Sequence, residues 1–116
     1  MNPLPRKARI IREYKVQYSD PITVAAGKPV TVGREDDECP GWKWTTSSDG
    51  RAGWVPVELL SNEGPQAFVL QDYSARELAV QPCEDVIVEK ARQGWILVRN
   101  SCGQRGWIPA SHSEPE

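Results

Sequence analysis

Gly53-Trp54-Val55-Pro56 recurs 53 positions later in the chain as Gly106-Trp107-Ile108-Pro109. Another tryptophan stands 12 residues before the tryptophan of each stretch, Trp42 in the first case and Trp95 in the second. Self-similarity at a fixed offset is the signature of a repeated structural unit. These matched tryptophan pairs therefore indicate that one small module occurs twice.

The similarity extends towards the N-terminal side of each copy, with small changes of offset. At offset 56, the matched residues are Ile22, Val24, Gly27, Val30 and Val32 with Leu78, Val80, Cys83, Val86 and Val88. At offset 59, they are Ile10, Ile11, Glu13 and Tyr14 with Val69, Leu70, Asp72 and Tyr73. Length changes between matched segments are typical of loops, which tolerate insertions. The first copy therefore carries three extra residues in each of two loops.

The local pattern of both copies predicts β-structure. Val30-Thr31-Val32 and Val86-Ile87-Val88 are β-branched runs that favour strands. Asp49-Gly50 is typical of a hairpin turn, because glycine accepts a positive φ. No segment shows a sustained helical period with caps. The predicted strands lie near residues 9–14, 29–35, 42–47 and 51–55, with a closing stub after Pro56, and again near 67–72, 85–91, 95–100 and 104–108; a helical turn is expected after each proline.

These features predict two modules arranged one after the other along the chain. Residues 8–60 form the first module and residues 66–112 the second. Residues 61–65, Ser-Asn-Glu-Gly-Pro, are the linker. Residues 1–7 are expected to be a flexible N-terminal segment and residues 113–116 a C-terminal tail.

Composition narrows the possible functions. The 116 residues include 14 basic and 16 acidic side chains, and nucleic-acid-binding proteins usually carry a basic surplus. No apolar run approaches the roughly 18 residues of a membrane span, and no secretion signal is visible. Three scattered cysteines fit reduced thiols better than a disulfide framework. We expect a cytoplasmic monomer that contacts neither nucleic acid nor membrane.

The residue inventory also argues against catalysis. The chain has a single histidine, His112, and its cysteines form no partner set for zinc, so the usual zinc constellations are not expected, and two copies of a histidine-dependent triad cannot form. No glycine-rich phosphate loop is present. We therefore predict a protein that is not an enzyme and that uses no metal and no cofactor.

The order of these landmarks resembles the Src homology 3 (SH3) family, especially its bacterial and variant members. Val69-Leu70-Gln71-Asp72-Tyr73 is similar to the family's first strand, Ala-Leu-Tyr-Asp-Tyr, and Glu77-Leu78 to the Glu-Leu that follows it. The first copy has the corresponding Ile10-Ile11-Arg12-Glu13-Tyr14 and Gly41-Trp42. The resemblance implies an all-β fold of two tandem, small SH3-like five-stranded β-barrels.

The resemblance further implies a non-catalytic module that binds a protein or an extended peptide, proline-rich or basic, in a shallow aromatic groove. Such peptides are stiff before they bind, so ordering them costs little entropy. The first candidate groove comprises Tyr14, Asp20, Asp36, Asp37, Glu38, Trp42, Trp54 and Pro56. The second comprises Tyr73, Trp95, Trp107 and Pro109. The acidic residues of the first groove would attract a basic ligand, so we expect that groove to be the better one.

Both copies depart from the family pattern. Arg12 and Gln71 replace the first groove tyrosine, and Leu59 and His112 replace the last one. Half of the usual aromatic ladder is therefore missing, and an alternative interpretation stays open. In that alternative the chain is a structural or cell-wall (peptidoglycan)-associated SH3-like module that binds no proline-rich peptide.

Overall fold

The computed structural model describes residues 3–18, 20–37, 40–92 and 94–115. Two short 3₁₀ helices cover Val57–Leu59 and Ala110–His112, where the sequence predicts a helical turn after each proline. The strands are β1 (Arg6–Ile10), β2 (Thr23–Val24), β3 (Pro29–Glu35), β4 (Trp42–Ser47), β5 (Ala52–Pro56), β6 (Gln66–Phe68), β7 (Tyr73–Ser74), β8 (Asp85–Arg92), β9 (Trp95–Arg99), β10 (Arg105–Pro109) and β11 (Ser113–Pro115). The predicted all-β class is confirmed.

The chain divides into two compact units whose boundaries differ from those of the predicted modules. Unit 1 consists of Met1–Gln17 together with Glu77–Glu116, and unit 2 is the continuous segment Tyr18–Arg76. The second unit is thus inserted in the sequence of the first. The predicted linker at 61–65 falls inside unit 2 rather than between two units.

Unit 1 contains a five-stranded sheet with the order β10-β9-β8-β1-β11. Strand β1 runs antiparallel to β8, with Ala8 opposite Val86, and antiparallel to β11, with Ile10 opposite Ser113. The first strand of the first copy therefore lies between two strands of the second copy. Arg6 and Lys7, expected in a flexible segment, belong to β1, and most of the expected C-terminal tail forms β11.

Unit 2 shows the reciprocal arrangement. Its four-stranded sheet has the order β5-β4-β3-β6, and β6, the first strand of the second copy, places Ala67 opposite Val30. An antiparallel bridge joins Leu60 to Val69 next to β6. A separate two-stranded ribbon pairs β2 with β7. Each copy therefore supplies its first strand to the sheet of the other copy.

The matched burial of β1 and β6 explains why such an exchange is compatible with both cores. Ala8 and Ile10 are 0% and 1% exposed, and their counterparts at offset 59, Ala67 and Val69, are 4% and 1% exposed. β1 thus buries Ala8 and Ile10, and the second copy buries Ala67 of β6 and Val69, which directly follows that strand. In unit 1 the β1 pair joins the buried cluster of Tyr14, Leu78, Val80, Val86, Val88, Ile96, Val98 and Ile108.

The strand pairing also corrects the predicted barrels. In the described segments the sheets of both units are open, with β10 and β11 at the edges of one and β5 and β6 at the edges of the other. The predicted closed barrels are therefore corrected to exchanged open sheets. The strands β3, β4, β5, β8, β9 and β10 lie near their predicted positions. The first strand of each copy does not: β1 lies at Arg6–Ile10 instead of near 9–14, and β6 ends at Phe68 instead of near 72. The short strands β2, β7 and β11 were not predicted.

Cys83 and Gly27 occupy matched positions of the repeat, and both have a positive φ. Cys83 is exposed and has φ +74°, and its counterpart Gly27 has φ +84° with open space around its missing Cβ. The left-handed region costs an L-residue about 1–2 kcal/mol, and glycine loses about 0.5–1 kcal/mol more than alanine on ordering.

We expect Cys83→Gly to raise the free energy of unfolding by about 0.5–1 kcal/mol in reducing buffer, as measured by urea denaturation.

Gly27→Cys is the matched control, and it should lower the free energy of unfolding by a similar amount. Gly27 has open space around the position of a Cβ and Cys83 is exposed, so we expect both substitutions to act mainly through the backbone. A Cys83→Gly variant less stable than the parent would contradict the assigned backbone conformation.

Candidate ligand-binding grooves

One face of the unit 1 sheet carries a row of three side chains on neighbouring strands. Trp95 at the start of β9 lies opposite Arg92 of β8 and opposite Pro109 of β10. Directly opposed residues of antiparallel strands point to the same face and can touch. The row Arg92, Trp95 and Pro109 is thus set by strand register, and all three residues are half-buried.

Tyr14 and His112 extend this row. The Tyr14 ring meets Trp95 edge to face, with centroids 6.1 Å apart, and meets His112 in the same manner at 5.5 Å. Edge-to-face packing is a favoured aromatic geometry and holds the rings in defined positions. His112 is half-buried, and its Nδ1 is enclosed without a hydrogen-bond partner among the described residues. We call Tyr14, Trp95, Pro109 and His112 the Trp95 groove.

A buried carboxylate fixes the tyrosine of this groove. Glu77 is 8% exposed and accepts a hydrogen bond of 2.7 Å from the Tyr14 hydroxyl on Oε2. Its Oε1 accepts a 2.6 Å hydrogen bond from the backbone N–H of Gln17. A buried charged group is tolerated when its oxygens are satisfied in this way. Glu77 therefore acts as an internal anchor and its oxygens are already engaged.

The corresponding residues of unit 2 are closed to solvent. The tyrosines of the two units do not differ, since Tyr73 is 8% exposed and Tyr14 is 6% exposed. The other matched residues do: Trp42 is 4% exposed, Leu59 3% and Pro56 below 2%, whereas Trp95, His112 and Pro109 are half-buried. A peptide needs accessible ring faces to pack against, and the matched side chains of unit 2 contribute to the core instead. The expectation that the first copy carries the better groove is therefore not supported by the burial of its aromatic residues.

Trp54, assigned from the sequence to the first groove, lies in a different aromatic group. Its ring centroid is 5.1 Å from that of Trp44, which lies directly opposite it in the β4–β5 hairpin. Tyr18 lies 5.4 Å from Trp44, and the Arg34 guanidinium carbon lies 5.0 Å from the Trp54 ring centroid. A cation of the protein itself thus already covers the Trp54 face that a basic ligand would use.

The acidic residues predicted for the first groove have separate surroundings. Asp20 forms an ion pair with Arg51, with 3.3 Å between Oδ1 and Nε. Asp36 is half-buried and donates its backbone N–H to the Trp42 carbonyl at 2.8 Å, and Asp37 is exposed. Glu38 lies outside the described residues.

The strand exchange regroups the predicted site residues. Tyr14 lies with Trp95 in unit 1, and the Tyr73 hydroxyl donates a 2.8 Å hydrogen bond to the Trp54 carbonyl in unit 2. Tyr14 of the first copy therefore lies beside Trp95 of the second copy, and Tyr73 of the second copy lies beside Trp54 of the first copy. Trp107, assigned to the second groove, is 5% exposed and pairs through its backbone with Glu77, so it supports the groove from within.

Several residues of these aromatic groups were not among the sequence-based candidates: Tyr18, Arg34, Trp44, Arg92 and His112. Trp44 could have been found, because the Asp49-Gly50 turn sets the register that places it opposite Trp54. The pairing of His112 with Tyr14 could not, because it depends on the exchanged strand.

Residues 7–63 match the variant SH3 domain family. The matched segment begins in β1 and ends beyond the first 3₁₀ helix, so it corresponds to the first copy of the repeat. No curated protein matches the chain. SH3-type domains are generally non-catalytic binding modules, which agrees with an aromatic groove as the candidate site.

Two other features are absent from the described part of the chain. It contains no helix long and apolar enough to cross a membrane. Within the same residues, histidine, cysteine and acidic side chains form no group of three or more able to hold a metal ion.

Proposed function

We propose that this protein is a non-catalytic binding module that takes an extended, proline-containing peptide of a partner protein in the Trp95 groove. The observation that carries the proposal is the half-buried row of Trp95 and Pro109 beside an anchored Tyr14. Rigid aromatic side chains offer a large contact area at low entropic cost, and a polyproline II peptide is already extended. The match to the variant SH3 family supports the same kind of ligand.

Unit 2 has a supporting role in this proposal. The residues matching those of the Trp95 groove are buried in it, and the faces of its Trp44 and Trp54 rings contact Tyr18 and Arg34. These features favour a structural role for unit 2. The cell-wall alternative differs, because it predicts that neither unit binds a proline-rich peptide.

Titration of the ¹⁵N-labelled full chain with a proline-rich peptide tests the proposal. We expect the largest shift changes at the Trp95 indole and the backbone of His112, with weak binding of a micromolar or weaker Kd. Trp95→Ala should weaken binding at least tenfold, because central aromatic residues dominate such interfaces. Trp44→Ala is the matched control in unit 2 and should leave the affinity unchanged.

Other results would overturn the assignment. Loss of binding with Trp44→Ala and not with Trp95→Ala would move the site to unit 2. If no proline-rich peptide binds, and peptidoglycan fragments shift the same resonances, the cell-wall alternative replaces the proposed function.

A further inference from the structure

Three basic residues lie on the segments that form the Trp95 groove. Arg92 lies directly opposite Trp95, and Lys15 is exposed next to Tyr14 in the chain. The exposed Arg12 donates its backbone N–H to the His112 carbonyl at 3.4 Å. These three cationic residues thus belong to segments that contribute residues to the groove.

The strand exchange is what brings Arg12 to this groove. In the sequence, Arg12 and His112 occupy two positions where the SH3 family has groove tyrosines, but they belong to different copies. Because β1 joins the sheet of the second copy, both replacements now flank the same Tyr14. The groove therefore has a cation where an aromatic ring is usual.

Several acidic residues of unit 1 make contacts within the protein. The oxygens of Glu77 accept hydrogen bonds from Tyr14 and Gln17, and Glu13 accepts a 2.9 Å hydrogen bond from Gln81 Nε2. Asp85 pairs with Arg9 at 3.5 Å, and Glu89 pairs with Arg105 at 3.0 Å. The acidic group best placed to receive a basic ligand, Glu77, is thus already used inside the protein.

The charge of the two units differs in sign. Unit 1 contains nine basic and seven acidic residues, a net charge of +2, whereas unit 2 contains five basic and nine acidic residues, a net charge of -4. The unit with the accessible groove is therefore the basic one. Complementary charge at an interface raises the association rate and selects between ligands.

We propose that the ligand of the Trp95 groove is an acidic extended peptide, in which aspartate or glutamate flanks the segment that packs on Trp95 and Pro109. This proposal rests on the proposed function and specifies the ligand class of the same site. It is opposite in sign to the basic ligand that the acidic residues of the first copy suggest. Arg12, Lys15 and Arg92 would select the ligand, and the aromatic row would hold it.

Three peptides with one proline-rich core and with glutamate, glutamine or lysine flanks provide the test. Each is titrated into the full-length protein at low and at high salt, with chemical shifts as the readout. We expect the glutamate peptide to bind about tenfold more tightly than the glutamine peptide at low salt, and the difference to shrink at high salt. The lysine peptide should bind most weakly.

Variants then assign the effect to the groove. The combined variant Arg12→Gln, Lys15→Gln, Arg92→Gln should bind the glutamate and glutamine peptides equally. Lys28→Gln removes an exposed positive charge from unit 2 and should keep the preference. The ¹H–¹⁵N spectrum of each variant verifies its fold, and Arg12→Gln with Lys15→Gln alone should show a partial loss if the combined variant does not fold.

The outcomes separate this inference from the function on which it rests. Equal binding of the three peptides, or tightest binding of the lysine peptide, overturns the acidic ligand and leaves peptide binding in place. Absence of binding by all three peptides overturns both.

Discussion

Splitting the chain between its two copies is expected to unfold both halves. Fragment 1–62 retains β3, β4 and β5 but loses β6 and β7, and fragment 64–116 loses β1 from between β8 and β11. Removing β1 from within its sheet, or β6 from the edge of the other sheet, exposes the hydrogen-bonding partners of that strand and the core beneath it. Each fragment should therefore lose most of its unfolding free energy, which for intact domains is about 5–15 kcal/mol.

Urea denaturation of both fragments and of the intact chain measures the loss. The control is an equimolar mixture of the fragments, because strands that are exchanged along one chain can also pair between two chains. We expect the mixture to recover cooperative unfolding and the ¹H–¹⁵N spectrum of the intact protein. If each fragment alone folds with the stability of the whole chain, each copy must pair with its own first strand, and the exchange is wrong.

The Ile10→Ala variant is expected to destabilise unit 1, although Ile10 belongs to the first copy. Its side chain is 1% exposed and lies in the buried cluster that contains Val98 and Ile108. Truncating a buried isoleucine to alanine costs about 2–5 kcal/mol, because apolar contacts are lost and a cavity remains. The methyl resonances of Val98 and Ile108 should shift, and denaturation should report the loss.

Val69→Ala is the matched control at the corresponding position of the second copy, directly after β6. Val69 is 1% exposed in unit 2, so its truncation should disturb the buried residues of that unit, such as Val30 and Val55, instead. The expected cost is smaller, since fewer methyl groups are removed. Shifts at Val30 and Val55 in the Ile10→Ala variant would show that β1 packs in its own copy and would contradict the exchanged arrangement.

The exchange also has a consequence for function, because it decides which residues can act together. Tyr14 and Arg12 reach the Trp95 groove only through β1, so the two binding proposals depend on the strand pairing that the fragment and truncation experiments test. Ile10→Ala should accordingly weaken peptide binding together with stability, whereas Val69→Ala should leave the groove intact. Binding measured on both variants therefore connects the fold to the proposed function.

The sequence by itself determined where the strands lie and what class of fold they form. The β-branched runs became β3 and β8, Asp49-Gly50 became the turn between β4 and β5, and Gly-Trp-x-Pro preceded both 3₁₀ helices. These features are local, since side-chain branching and glycine turns act on the backbone within a few residues. The first strand was less well located, because its N-terminal half, Arg6 and Lys7, carries no apolar signal.

Only the tertiary structure decided which sheet each first strand joins. Segments 8–10 and 67–69 share the same buried pattern, Ala8 with Ile10 and Ala67 with Val69, so either segment could fill the same place in either core. Which of two equivalent strands joins a sheet depends on the path of the connecting segments. The residue pattern of the strand itself does not predict this choice. Burial was decided in the same way: Trp42 and Trp95 occupy matched positions, yet one is 4% exposed and the other half-buried. Their neighbours from distant parts of the chain, and not their own sequence, make one a core residue and the other a candidate binding surface.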